Sequence, residues 1–160
     1  TTTSGNDRYK LNAGSAEVEG TDLEIRQKLG AGLTAFANAT FVDTTITENS
    51  VRPNSVGKQI PLQARRLANL GIEGSYGPWS GSVIATYTGK MYSNDDNSDT
   101  INHVPGSYDP NVVVGAKLNY RVDRHLTASL AVTNLLDRDY YLGSSKADGR
   151  AVYLGLRFKY

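Results

Sequence analysis

The sequence predicts an all-β fold, an antiparallel transmembrane β-barrel segment of about seven long strands that forms part of a larger barrel. The last strand shows the pattern best. Residues 150–160 (RAVYLGLRFKY) place Val152, Leu154, Leu156, Phe158 and Tyr160 on one parity, and Tyr153, Gly155, Arg157 and Lys159 on the other. In a strand these sets point to opposite faces, one apolar and one polar. A membrane-spanning strand needs that pattern over about 9–11 residues. The second observation is hydropathy. Its mean is −0.41, and no run approaches the roughly eighteen consecutive apolar residues of a transmembrane helix. A closed barrel is the other way to satisfy every backbone N–H and C=O in lipid. The third is a strict alternation of short and long connections.

The elements follow in order. Over 15–29, Thr21, Leu23, Ile25 and Leu29 oppose Asp22, Glu24, Arg26 and Lys28. A glycine turn at 30–32 leads into a second strand over 31–44, then a long polar stretch at 45–63. Strands over 64–76 and 79–93 flank the tight turn YGPW, and a second polar stretch fills 93–107. Over 112–122, Val112, Val114, Ala116, Leu118, Tyr120 and Val122 oppose Val113, Gly115, Lys117, Asn119 and Arg121, within a strand expected at 107–122. After a turn at 122–124, the strand at 124–135 sets Leu126, Ala128, Leu130 and Val132 against Thr127, Ser129, Ala131 and Thr133. The third long stretch is 136–149. Each segment is longer than the 5–6 residues typical of soluble-protein strands. Charges fall almost wholly on one parity, as a water-filled lumen requires. Gly, Pro and Asp at the short connections fit tight turns.

Short periplasmic turns and long extracellular loops describe an outer-membrane barrel. Aromatics stand where girdles belong: Tyr76, Trp79, Tyr120 and Tyr160 at the turn end, Tyr92, Tyr108 and Tyr140 at the loop end. Seven strands put residues 1–14 on the loop side, whereas bacterial single-chain barrels normally pair an even strand count with two periplasmic termini. The chain is therefore expected to be the carboxy-terminal part of a larger barrel. A complete eight-stranded barrel would need a strand at 7–11, too short to span.

Composition narrows the function. The 160 residues are 39% hydrophobic and carry a net charge of +1, so the concentrated basic face of a nucleic-acid partner is not expected. Sixteen Gly and ten Tyr suit turns and girdles. The opening TTTSGNDRYK has neither the basic nor the apolar region of a signal peptide; a leader is expected to have been removed or to lie upstream. Cysteine is absent, which fits envelope and cytosolic proteins alike.

Candidate chemistry is sparse. Residues 95–99 (DDNSD) match the first half of a calcium loop, but Thr100 stands where Gly belongs and no Glu closes it. A solvated acidic loop tip is the better reading. His103 and His125 fall at opposite ends of the barrel, which excludes a shared metal site or triad. No catalytic, cofactor or metal residues are assigned, and no enzyme is expected. Arg65, Asn69 and Glu73, with Asp22, Glu24, Arg26 and Lys28, are expected to face the lumen, as wall hydrogen bonds and ion pairs before ligand contacts. Ligand-facing loop candidates are Tyr92, His103, Tyr108 and Tyr141, with Tyr140 beside them.

Three stretches resemble the carboxy-terminal third of TonB-dependent outer-membrane receptors. They are 20–24 (GTDLE); 134–141 (NLLDRDYY), similar to the family's Asn-Leu-Phe-Asp…Tyr box through Asn134, Leu135, Leu136, Asp137 and Tyr140; and 149–160, with a Gly-Arg opening and a terminal aromatic. Ile60, Pro61 and the Tyr87, Gly89, Tyr92 segment fall at the family's strand and loop boundaries; Leu136 departs conservatively from the usual Phe. The resemblance implies a 22-stranded barrel in the outer membrane of a Gram-negative bacterium, filled by an amino-terminal plug. It implies import of a scarce ligand, most often a ferric siderophore, driven by the TonB system. Residues 1–160 would then be barrel alone, without the plug and without roughly fifteen further strands. Leu154, Leu156, Phe158 and Tyr160 would close the barrel and carry the signal read by the insertion machinery, with membrane lipid as the other partner. Two other classes stay open: a small complete outer-membrane barrel with a structural or adhesive role, and a soluble β-sandwich that binds carbohydrate. Strand length disfavours the sandwich.

Overall fold

The computed structural model describes residues 14–98, 100–101, 104–105, 108–142 and 145–160. Seven long strands form one antiparallel meander, each paired with its neighbours in sequence: β1 (Gly14–Gly30), β2 (Leu33–Asn49), β3 (Arg66–Tyr76), β4 (Trp79–Thr88), β5 (Asn111–Arg121), β6 (Leu126–Thr133) and β7 (Ala151–Phe158). Two-residue ribbons pair Thr100–Ile101 with Val104–Pro105 and Tyr141–Leu142 with Ser145–Lys146. The sheet is open. The outer edges of β1 and β7 have no strand beside them among the described residues, and such edges call for partners. One sheet, not two packed together, removes the sandwich reading.

Turn chemistry sets the register. Ala31 and Gly32 both adopt positive φ (48° and 78°), as a type I′ hairpin requires, and the Ser75 carbonyl closes on Gly32 where a Cβ would stand. Gly77 (φ 57°) precedes Pro78 in the two-residue connection of the Tyr76↔Trp79 pair, the sequence of a type II′ turn. From these two turns the register carries apolar residues to one face across the sheet. One row runs Ala35, Ile72, Val83, Ala116, Val132 and Val152. Another runs Leu118, Leu130 and Leu154, with Leu154 85% exposed. From Leu33 to Phe41, Trp79 to Tyr87 and Val112 to Tyr120 the belt is about nine residues tall, the span of a tilted membrane strand. Few side chains are buried because the hydrophobic surface faces outward; Ile46, Met91 and Tyr108 are the buried apolar residues described.

All seven expected strands are present, but three boundaries move by more than two residues. Expected over 31–44, β2 continues to Asn49, pairing with β1 down to Gly14. Above the belt the strand runs on through its ladder with β1 and its β-branched threonines, with Thr44 and Ile46 buried on the inward parity. Expected to 93, β4 ends at Thr88: the Gly89 amide donates to the Arg66 carbonyl (2.8 Å), and Met91 then turns into the loop packing. Expected from 107, β5 begins at Asn111, after Pro110, which has no amide for the ladder.

Candidate functional site

The opposite face of the sheet is polar and bonded sideways from strand to strand. Asn69 Nδ2 donates to Asn38 Oδ1 (2.9 Å) and Asn69 Oδ1 accepts from Thr86 Oγ1 (2.7 Å), a chain across β2, β3 and β4. Thr40 Oγ1 donates to Asp22 Oδ1 (2.6 Å), and Arg26 pairs with Glu73 across the intervening β2. Arg26 crosses over the Phe36 ring (5.6 Å to the centroid), and that ring lies on Gly71, where a Cβ would collide with it. Asp22, Arg26, Asn69 and Glu73 thus fill the wall as the parity predicts. These hydrogen bonds and ion pairs fix the strands to each other and leave Lys117 and Lys28 as cations of the same face with no ion pair described. Arg65 departs from the expectation. It lies ahead of β3, and its guanidinium turns onto the end of β2, pairing with Asp43 (2.8 Å) and donating to the Thr44 carbonyl (3.0 Å).

The long loops gather at the other end of the strands. The Gln59 amide donates to Asn97 Oδ1 and Asn97 Nδ2 donates back to the Gln59 carbonyl, both at 2.8 Å. Arg52 pairs with Asp95 (3.0 Å), and the Leu62 amide donates to the Tyr92 carbonyl (2.9 Å). Two loops far apart in sequence are thereby joined. The same bonds spend the donors of the calcium-like segment. Asp95 holds Arg52 and Asn97 holds Gln59. Asp96 accepts the Ser98 amide (2.9 Å), and that bond, with help from the Ser98 hydroxyl, holds its carboxyl below the usual range. Asp99 and His103 lie outside the described residues.

Tyr108 is 3% exposed and packs on Met91, with Ala64 and Tyr141 against them; its ring meets Tyr141 edge-on at 6.3 Å. Burial, then the neighbouring Tyr141, pushes its phenol pKa up. Tyr108 thus anchors the loops. Tyr92, beneath Lys90 Nζ (5.2 Å to the centroid), and Tyr141 are half-buried and more open.

The Asn134, Leu135, Leu136, Asp137 and Tyr140 box works as a knot. Asn134 and Asp137 both take positive φ (48° and 52°), a conformation Asn and Asp tolerate better than most residues. Asn134, 2% exposed, donates through Nδ2 to the Arg138 carbonyl (2.8 Å) and accepts the Arg138 amide (2.9 Å). Asp137 Oδ1 accepts the Arg150 amide (2.7 Å), the Leu135 amide donates to Val114 (2.8 Å), and the Tyr140 carbonyl accepts the Ala147 amide (2.9 Å). The box ties the start of the third long loop to its end; Leu136 is exposed.

At the turn end, Asp123 Oδ1 accepts the amides of His125 (2.7 Å) and Leu126 (2.8 Å), which hold its carboxyl below its ordinary value. His125 grips the last residues: Nδ1 lies 3.0 Å from the Lys159 carbonyl, the Lys159 amide donates to the His125 carbonyl (2.8 Å), and its ring stacks on Phe158. Phe158 meets Tyr160 edge-on at 5.5 Å. Sequence reading missed the His125 grip and the Gln59–Asn97 pair, because both join residues with no common spacing or motif.

Comparison with known proteins decides the family. Residues 1–135 match the family "TonB dependent receptor-like, beta-barrel". The chain belongs to that family. Its members are outer-membrane receptors and transporters, not enzymes. No curated protein matches the sequence. Among solved structures, the chain superposes on the siderophore receptor PiuA from Acinetobacter baumannii with a TM-score of 0.77 at 23% identity, covering 93% of this chain and 22% of that one. It matches the ferric yersiniabactin uptake receptor FyuA from Yersinia pestis (TM-score 0.71, 21% identity, 92% and 24% covered) and the copper transporter OprC (TM-score 0.70, 18%, 91% and 24%). At these identities the likeness is one of fold. The chain spans about a quarter of the length of each of these structures.

Proposed function

We propose that this chain is part of the barrel wall of a TonB-dependent transporter in the outer membrane of a Gram-negative bacterium, one that imports a ferric siderophore. The observation that carries the reading is the two-faced sheet of a family member: a nine-residue apolar belt outside and a laterally bonded polar wall inside. The siderophore assignment draws on the relatives named for such cargo; a copper transporter among them keeps the cargo class open to test. Tyr92, Tyr141 and His103 are the loop residues proposed to face the ligand; Tyr108 packs on Met91 with Tyr141 against it. The TonB system would act through a plug outside these residues.

The test is uptake. Deleting the gene should abolish growth on one ferric siderophore as sole iron source and its radiolabelled uptake, with both restored by the gene. Unchanged uptake of every ferric chelate, with loss of a different cargo, would refute the siderophore assignment. The partnership with the insertion machinery has a separate test. Replacing Tyr160 by Asp should cut outer-membrane levels of the receptor several-fold while surviving molecules keep their ligand affinity. Normal levels would remove the signal role.

A further inference from the structure

The ladder between β6 and β7 stops short of the aromatic end of the chain. Its last pair is Leu126 with Phe158, so Lys159 and Tyr160 run past the end of β7. The next pair would be His125 with Lys159, which in an ordinary antiparallel ladder exchange two backbone hydrogen bonds. One of them forms: the Lys159 amide donates to the His125 carbonyl (2.8 Å). The other does not, because the His125 amide donates to Asp123 Oδ1 (2.7 Å). The imidazole takes its place, with Nδ1 3.0 Å from the Lys159 carbonyl oxygen.

The ring is set up for that substitution. Arg124 Nε donates to Nε2 of His125 (2.9 Å), so Nε2 is the acceptor of a neutral imidazole. The proton then sits on Nδ1, facing the Lys159 carbonyl. The same ring stacks on Phe158 (6.0 Å between centroids, 23° between planes), and Phe158 in turn meets Tyr160. A turn side chain thus supplies the ladder bond that the turn backbone has spent elsewhere.

Backbone alternation gives this bond a consequence on the far side of β7. Lys159 turns its amide and carbonyl toward β6, so the amides of Phe158 and Tyr160 point to the outer edge. No strand lies beside that edge among the described residues, and both rings are exposed. A strand added there meets free backbone donors and two aromatic side chains together; in this mode of recognition the backbone gives affinity and the side chains give specificity. Chain ends lose such geometry unless they are tied down.

We propose that His125 is a positioning residue for assembly. Its imidazole completes the ladder at Lys159 and keeps Phe158 and Tyr160 in strand geometry, so that a strand of the barrel-insertion machinery pairs along the outer edge of β7 and reads both rings. The inference rests on the signal role proposed above for the last strand and is independent of the cargo.

The experiment uses the whole receptor in growing cells, with Tyr160→p-benzoylphenylalanine as a photo-crosslinking probe. Illumination should link the newly exported receptor to the barrel subunit of the insertion machinery. His125→Ala should cut that crosslink about fivefold, the equilibrium weight of one ordinary hydrogen bond, and lower the outer-membrane level with it. His125→Asn, which keeps a side-chain N–H near the place of Nδ1, should restore both. His125→Phe, which keeps a ring against Phe158 without the donor, should restore neither. Receptor of the Ala variant that does reach the membrane should keep its heat-modifiable migration on gels, which a merely structural role would disturb. An unchanged crosslink in His125→Ala, rescue by Phe but not by Asn, or a probe that links only to other strands of the receptor would each overturn the proposal. A normal level of Tyr160→Asp would remove the signal itself, whereas a low level of that variant beside a normal level of His125→Ala would remove only the role of His125.

Discussion

The first and last hairpins of the sheet share a belt and differ in what lies above it. In β1 and β2 the strands run seventeen residues each; in β6 and β7 they run eight. Within the belt both obey the same rule, with Leu23 and Ile25 beside Ala39 and Ala37 in one and Leu154 and Leu156 beside Leu130 and Ala128 in the other. Past the belt, the first hairpin keeps its ladder while its outward parity turns acidic and polar, with Glu19 opposite Asp43 and Glu17 opposite Thr45. The last hairpin stops at Thr133, because Asn134 takes a left-handed conformation and the chain knots. Lipid therefore dictates side-chain alternation, whereas local backbone chemistry dictates where a strand ends.

The comparison breaks most visibly if a charge enters the belt. Leu154→Arg should cost about 2–4 kcal/mol of folding stability in a phospholipid bilayer, whereas Glu17→Arg, on the outward parity above the belt, should stay within about 0.5 kcal/mol. Urea titration of the reconstituted receptor measures both. Equal losses would mean that the two zones are not distinct solvents. Next in size is the knot. Asn134→Ala removes a buried side chain's bonds to Arg138 and leaves alanine at φ 48°, so it should destabilise by about 1–3 kcal/mol and speed protease cleavage within 134–150. The 50–65 loop should keep its wild-type cleavage rate. The smallest effect belongs to the turn end. Asp123 is held below its ordinary value of 3.8, so its contribution is present above that pH and disappears as pH falls through the lower folded value. Asp123→Asn should thus quicken hydrogen exchange at the His125 and Leu126 amides near neutral pH and make little difference in strong acid. A pH-independent effect would assign the protection to the turn's backbone alone.

Legibility in the sequence followed the same division. Four of the seven long strands showed in the parity of their apolar residues, since a lipid face admits few exceptions, and the other three in their length and in the YGPW and glycine turns that bound them. The end of β2 past Thr44 was hidden because Thr45 and Thr47 are equally at home in a wet strand or a loop. Wall residues such as Asn69 and Glu73 were legible by parity, yet their partners Asn38 and Arg26 emerged only with register. Tyr108 looked like a girdle or ligand aromatic; its burial against Met91 depends on two loops meeting, which no local pattern encodes.

The reciprocal bond between Gln59 and Asn97 bears on how such a protein can be recombined. A donor segment replacing residues 50–65 alone would arrive without a mate for the Asn97 carboxamide and would orphan Asp95 from Arg52. The two loops are therefore a single cassette, interrupted in sequence by β3 and β4 but inherited, grafted or swapped as one unit.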